Sequence, residues 1–487
     1  MRFWMLDTLT RLRRISPVQL AFFGSLLLSL IAVVGTVTVG KDAARYLYVS
    51  QQIVEHGSAV AFELFNWPWF SLLLAGTHWI SGVSLELVAY LWCALLMAGT
   101  CALLVAITQR QVPGGGYWAC LLVLAIPAFN HLRNDIIREF GLWFFCTLAF
   151  SLALRWQERG GWLRALLVQL AIVAAALFRL EAVLLFPVLG LCLVGELQTR
   201  EGWRRLLQIN LFPLAGIVAA LLWLLSGHAL AQARVDYVVA LLDPRSFLAG
   251  FNAMASSFAK VALQKYSADE ARQVVFFGLL FTLLSKFVAQ CGPFALPLLY
   301  RPGWRGVAEY WRKFRPLAWA WLVYFCVLLI FFIQERFINS RYVSFLNLLA
   351  VPLLTIVLLC FARNFPRLAR IFVVMALLVM LQNVVSFSAK KTHYLEAGAW
   401  LSQHTSPADA IFYEDSRFAY YAGRGYPYMP VTREQAMSAE HAQKFRYFVL
   451  IARPDDAALQ LWMTQQHKQV LTQFANRKGD TVLVLGD

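Results

Sequence analysis

The chain of 487 residues is 60% hydrophobic and 14% charged, with a mean hydropathy of +0.60 and a formal charge of +16. Soluble domains run nearer about 45–50% apolar and about a quarter charged, so a disordered chain, a secreted disulfide scaffold and a soluble nucleic-acid binder are excluded. In a polytopic membrane protein, basic charge first sets orientation rather than marking a nucleic-acid partner.

At about 20 apolar residues per crossing, the hydrophobic windows predict eleven spans, near 18–39, 85–109, 117–131, 139–157, 163–178, 182–197, 206–226, 274–299, 317–333, 343–362 and 371–388. The first run, from Val18 to Val39, is too long for a cleaved signal and reads as a retained span. Between it and the second span, Phe65–Ile80 is short and broken by Pro68, which predicts an interfacial or re-entrant piece. With the N-terminus inside, the inner loops collect 19 basic residues against five acidic ones, including Arg110, Arg200, Arg204, Arg205, Arg363 and Arg370. The outer loops hold twelve of each sign. The positive-inside rule then places the C-terminus outside, in the periplasm of a bacterial cell with the spans in its inner membrane. The expected organisation is a membrane domain over 1–388, with an outer juxtamembrane segment 41–84 and an outer loop 227–272, followed by a soluble domain over 389–487.

That tail changes character. Apolar runs shorten to strand length at 410–413, 447–452, 470–474 and 481–485, separated by helical patterns at 394–404, 433–444 and 455–467. A small α/β domain is predicted. The eight cysteines all fall in apolar stretches and read as small core residues. No His or Cys spacing supports a metal, and no cofactor is expected. Gly114-Gly115-Gly116 is an inner-side turn, without the Lys-Ser/Thr that a phosphate cradle needs. The loop 227–272, with Asp236, Tyr237 and Asp243, is long for a membrane protein, and such loops tend to carry function.

The carboxylates are placed asymmetrically. Asp42, Glu55, Glu63, Asp135, Glu139, Glu181 and Glu335 all gather at the outer ends of spans, many beside arginines: Asp42 with Arg45, Asp135 with Arg138, Glu181 with Arg179, Glu335 with Arg336 and Arg341. Any one of these alone reads as an interfacial ion pair. Several at one face predict a shared polar cavity, because ionisable groups at membrane depth are costly and face a cavity or a partner. Asp42 follows the first span directly, and Tyr46, Ser50 and Ile53 repeat on one helical face after it. A carboxylate there can serve as general base for a hydroxyl, and arginines can hold a phosphate bidentately.

The run Asp42-Ala43-Ala44-Arg45-Tyr46 resembles the first outer loop of GT-C glycosyltransferases, integral-membrane enzymes that use polyprenyl-phosphate sugars, and is most similar to the lipid A aminoarabinose transferase and protein O-mannosyltransferase group. Further pieces agree in order: Asn66-Trp67-Pro68-Trp69, Arg138-Glu139-Phe140-Gly141, Phe178-Arg179-Leu180-Glu181, Arg341-Tyr342 and Phe418-Ala419-Tyr420-Tyr421. Ala43 departs from the second acid of the usual pair, and Leu180 from a proline. The resemblance implies an inverting transferase that moves a sugar from an undecaprenyl-phosphate-type carrier to a hydroxyl on lipid A, another glycan or a protein. It implies Asp42 as the proton acceptor. Arg138, Arg179, Arg336 and Arg341 are then candidates for the carrier phosphate, and Arg45, Tyr46, Asp135, Glu139, Glu181 and Tyr342 for the donor or acceptor site. The rival is a lipid-linked-sugar translocase or secondary transporter, which would place its charges at mid-span and has no need of a folded outer domain. An O-antigen polymerase or ligase would show one very large outer loop in the middle of the chain.

Overall fold

The computed structural model describes residues 15–225, 243–385, 389–453 and 456–486. Asp236 and Tyr237 of the expected outer loop, and the basic residues Arg2, Arg11, Arg13 and Arg14, lie outside them.

Among the described residues, six helices are long and apolar enough to cross a membrane: Pro17–Val34, Leu85–Gln111, Lys265–Leu299, Arg315–Glu335, Ser340–Asn364 and Pro366–Val384. Two more of the eleven expected crossings fall on single helices, and a third, 117–131, is interrupted at the extended residue Ile126 between Gly116–Ala125 and Pro127–Asn130. Gly116–Ala125 and Trp162–Phe178 are apolar but shorter, and Glu139–Arg159 begins on a carboxylate and ends on a basic turn. The remaining two are broken as well. Stretch 182–197 divides into a 3-10 turn Leu180–Leu184, a helix Leu185–Leu191 and a second 3-10 turn Val194–Glu196. Stretch 206–226 splits at Asn210 into an amphipathic helix Arg200–Ile209, capped by the Thr199 hydroxyl, and an apolar helix Leu211–Leu225. Continuous hydropathy conceals such breaks, because a capped turn costs the apolar window only one or two residues.

The chain forms two compact units. The first comprises residues up to Ile31, Trp92–Arg133 and Arg138–Val384. Its most buried long helix is Ser340–Asn364, which packs through Val343 and Leu346 on Leu283, Leu328 and Phe332 of the helices Ala271–Cys291 and Arg315–Glu335. Helices in lipid gain little from apolar burial and associate through close packing and interhelical hydrogen bonds. The structure supplies these: Asn347 Nδ2 donates to the Phe287 carbonyl at 3.0 Å, Gln290 Nε2 to the Ser340 carbonyl at 2.7 Å, and Lys286 Nζ to the Ile338 carbonyl at 3.2 Å.

The second unit comprises Ala32–Leu91, Asn134–Ile137 and the chain from Val385 onward. The tail therefore shares its compact unit with the segment that carries Asp42. That segment contains the helices Lys41–His56, Val60–Leu64 and Trp69–Ser81, the last opening after Pro68. The tail is an α/β domain on a four-stranded sheet, β1 (Ile411–Tyr413), β2 (Tyr447–Ile451), β3 (Gln469–Ala475) and β4 (Thr481–Gly486), ordered β1-β2-β4-β3. β1 and β2 run parallel, and β4 is antiparallel to both β2 and β3. Alternate residues face opposite sides of a strand. Thus Ile411, Tyr413, Val449 and Val484 build one core with Leu401 and Phe418, while Phe412, Phe448, Leu450 and Leu485 build another with Trp462. The four strands and the helices Thr392–His404 and Ala457–Gln465 fall where the pattern predicts them. The pattern at 433–444 resolves into two short helices, Arg433–Ala436 and Ala439–Ala442, because Ser438 takes an extended conformation between them.

Candidate functional site

In the first unit, five of the predicted residues converge. Glu139 opens the helix Glu139–Arg159, and Arg179 caps the neighbouring helix Trp162–Phe178 in an extended conformation. The two helices meet tightly because residue 141 is glycine: a Cβ there would lie 2.1 Å from the Phe178 ring. That close approach sets Arg179 against the start of the other helix. Its Nη1 donates to Glu139 Oε1 at 2.7 Å, and its Nη2 and Nε donate to Glu181 at 2.9 and 3.3 Å. Arg341 arrives in the first turn of Ser340–Asn364, where the Asn339 side chain accepts its backbone N–H, and places Nε 3.6 Å from Glu139 Oε1. The Tyr342 ring lies 5.0 Å from the Arg179 guanidinium and 5.8 Å from that of Arg341.

Glu139 is buried, at 4% exposure, whereas the Glu181 side chain is 41% exposed. The Arg179 guanidinium holds the Glu181 carboxylate through two hydrogen bonds. Arg179 and Arg341 thus gather on two carboxylates, Glu139 and Glu181, with the Arg138 charge close to Glu181. Beside them an apolar cleft of about 380 Å³, open mouth included, is lined by Leu142, Cys146, Leu185, Val188 and Tyr324 with Glu181. Arg336 does not join the cluster. It caps the preceding helix in the left-handed region (φ 60°), with its side chain exposed.

In the second unit, Asp42 sits half-buried in the first turn of Lys41–His56, where a negative side chain complements the helix N-terminus. Two neighbours that are donor- or acceptor-site candidates pack on aromatic rings. The Arg45 guanidinium lies 4.4 Å over the Phe65 ring. Tyr46 is 5% exposed, packed on Phe65 and Phe70, and its carbonyl accepts from Ser50 and Ser71. Both are taken up by aromatic packing of this helix. Asp135 lies next to the same turn, its Oδ1 3.8 Å from where a Cβ on Gly40 would stand. Sequence reasoning missed Asp415 and Arg417, a buried pair joined at 3.1 and 2.7 Å. Spaced two apart in a polar turn, nothing in their sequence distinguishes them from solvated charges.

No protein-family model matches the chain, and no curated protein matches it in sequence. Its fold does have counterparts among solved structures. The crystal structure of ArnT from Cupriavidus metallidurans in the apo state gives a TM-score of 0.57 at 14% identity, over 94% of this chain and 96% of that one. The chain has the ArnT fold. ArnT from the same organism bound to undecaprenyl phosphate matches equally, with a TM-score of 0.57 and 14% identity over 95% and 96% of the two chains. The helical membrane fold with a small C-terminal sheet, expected from the hydropathy and from the strand-length runs of the tail, is the fold observed, and the ArnT likeness extends over nearly the whole length.

Proposed function

We propose that this protein is a membrane glycosyltransferase that moves a sugar from a polyprenyl phosphate carrier to a hydroxyl acceptor at the periplasmic face of the bacterial inner membrane. The observation that carries the reading is the convergence of Arg179 and Arg341 on Glu139 and Glu181, next to an apolar cleft. A lipid phosphate has the complementary pair, an anionic head and an apolar tail, and ArnT, whose fold the chain shares, has been crystallised with undecaprenyl phosphate.

On this reading Asp42 takes the proton from the acceptor hydroxyl while its oxygen bonds to the anomeric carbon. The bond from that carbon to the carrier phosphate breaks with inversion, and the lipid phosphate leaves with the electron pair. Arginine suits that leaving group because its planar fork binds phosphate oxygens in pairs. Segment 1–388 supplies the membrane part, and 389–487 is the periplasmic domain.

The test is turnover by purified Asp42→Asn protein, with a prenyl-phosphate sugar recovered from a strain lacking the gene. Asn preserves size but cannot accept the proton, so turnover should fall about 10²–10⁴-fold with donor binding intact. Near-wild-type transfer would remove the general-base assignment. Transport without transfer by the wild-type protein would favour the translocase.

A further inference from the structure

The helix that carries Asp42 has no side-chain cap, because its N-cap is Gly40. The chain leading into it is held instead by the C-terminal domain. Val39 is buried, and both its backbone polar groups are satisfied by tail side chains: its N–H donates to Tyr421 Oη at 2.8 Å, and its carbonyl accepts from Arg417 Nη1 at 3.4 Å. Lys41, on the other side of Gly40, lies 3.7 Å from Asp415 Oδ2. The grip is itself rigid. Asp415 holds Arg417 through two hydrogen bonds, and the Arg417 guanidinium lies 4.5 Å over the Tyr394 ring. Tyr421 is fixed from behind by the helix Thr392–His404, which approaches so closely that a Cβ on Gly398 would stand 2.5 Å from Tyr421 Cβ.

Contacts across 378 and 382 residues of chain are not needed merely to satisfy one backbone residue, which a local turn could do. Their place, three residues before Asp42, gives them a use. A reacting group must be held within about 0.5 Å of its productive position, and a misplacement of about 1 Å from a distant change can cost about 10²-fold in rate.

We propose that Arg417 and Tyr421 are positioning residues for Asp42, fixing the backbone at Val39 from which its helix begins. The inference rests on the reading of Asp42 as general base. The C-terminal domain then belongs to the catalytic apparatus even where it touches no substrate.

The experiment uses the full-length purified protein, the donor lipid recovered from the deletion strain, and undecaprenyl phosphate as a separate binding probe. Tyr421→Phe removes only the hydroxyl that accepts from Val39, and Arg417→Lys keeps the charge but loses the fork. Each should lower kcat about tenfold or more, with the donor KM and the affinity for undecaprenyl phosphate within about twofold of wild type. Tyr428→Phe, at a residue 88% exposed, should change nothing. In an Asp42→Asn background, Tyr421→Phe should cause no additional loss, since groups acting through one another are not additive. Unchanged kcat in Tyr421→Phe and Arg417→Lys, or a full additive loss in the double variant, overturns the positioning role. Asp42→Asn with near-wild-type turnover overturns instead the general-base reading beneath it.

Discussion

Arg179 bridges two carboxylates at once, Glu139 from the start of one helix and Glu181 two residues along its own chain. Arg341 shares the same Glu139 oxygen from a third helix. Buried ion pairs are poor sources of net stability, because desolvation offsets most of the attraction. Such a cluster at the ends of apolar helices therefore points to position and charge as what it provides.

Its two acids are unequal, and that is testable. Glu139 is buried and serves two arginines, so Glu139→Gln should lower unfolding stability by about 3 kcal/mol, the range seen when one partner of a buried pair is removed. Glu181 is more than a third exposed and solvent-screened, so Glu181→Gln should cost less than about 1 kcal/mol. Thermal unfolding in detergent reads both. Equal losses would mean that the burial difference does not govern the cluster.

How much of this was legible in the sequence follows the range of the interactions. The acids and arginines announced themselves by lying at one end of the apolar runs, and four strands of the tail showed by length and alternation. The packing of the Tyr46 ring on Phe65 and Phe70 is not visible in the local pattern, because both lie some twenty residues along the chain. The grip of Arg417 and Tyr421 on Val39 spans most of the chain and leaves no local periodicity, so only the fold reveals it. The broken crossings at 117–131, 182–197 and 206–226 were hidden because each break costs the apolar window only one or two residues.

Arg341 is expected to contribute through its planar fork. Arg341→Lys retains the charge near Glu139 but loses the paired donors and the contact with the Tyr342 ring. Affinity for undecaprenyl phosphate should fall about tenfold, with thermal stability little changed. Normal affinity in Arg341→Ala would transfer the role to Arg138 or Arg179.

The basic asymmetry of the loops gives a topology that reporter fusions can check. Fusions after Arg205 and Arg370 should report the cytoplasm, and one after Asp487 the periplasm. A cytoplasmic C-terminus would put the tail domain, and the Asp42 segment with which it forms one unit, on the wrong side for a lipid-linked periplasmic donor.

The last prediction concerns acid. Burial pushes the Asp415 carboxyl up, but its hydrogen bonds from Arg417, the Arg417 charge and Lys41 outweigh this, so its pKa lies below the ordinary carboxylate value. A carboxyl lowered in the folded state stabilises fully above its unfolded pKa, about 3.9, and loses that contribution as pH falls through the folded value. Melting temperature should therefore be insensitive to Asp415 titration at neutral pH and drop below about pH 4. Asp415→Asn leaves the buried Arg417 uncompensated and should be less stable at pH 7. The gap between the two proteins should then narrow as acid protonates the wild-type carboxyl. His393 also titrates in this domain: burial lowers its pKa, so its neutral form is given up only below the ordinary histidine range, in wild type and variant alike. The difference between the two melting curves against pH isolates Asp415 from it. A gap that stays constant down to pH 2 would show that Asp415 does not hold Arg417 as an ion.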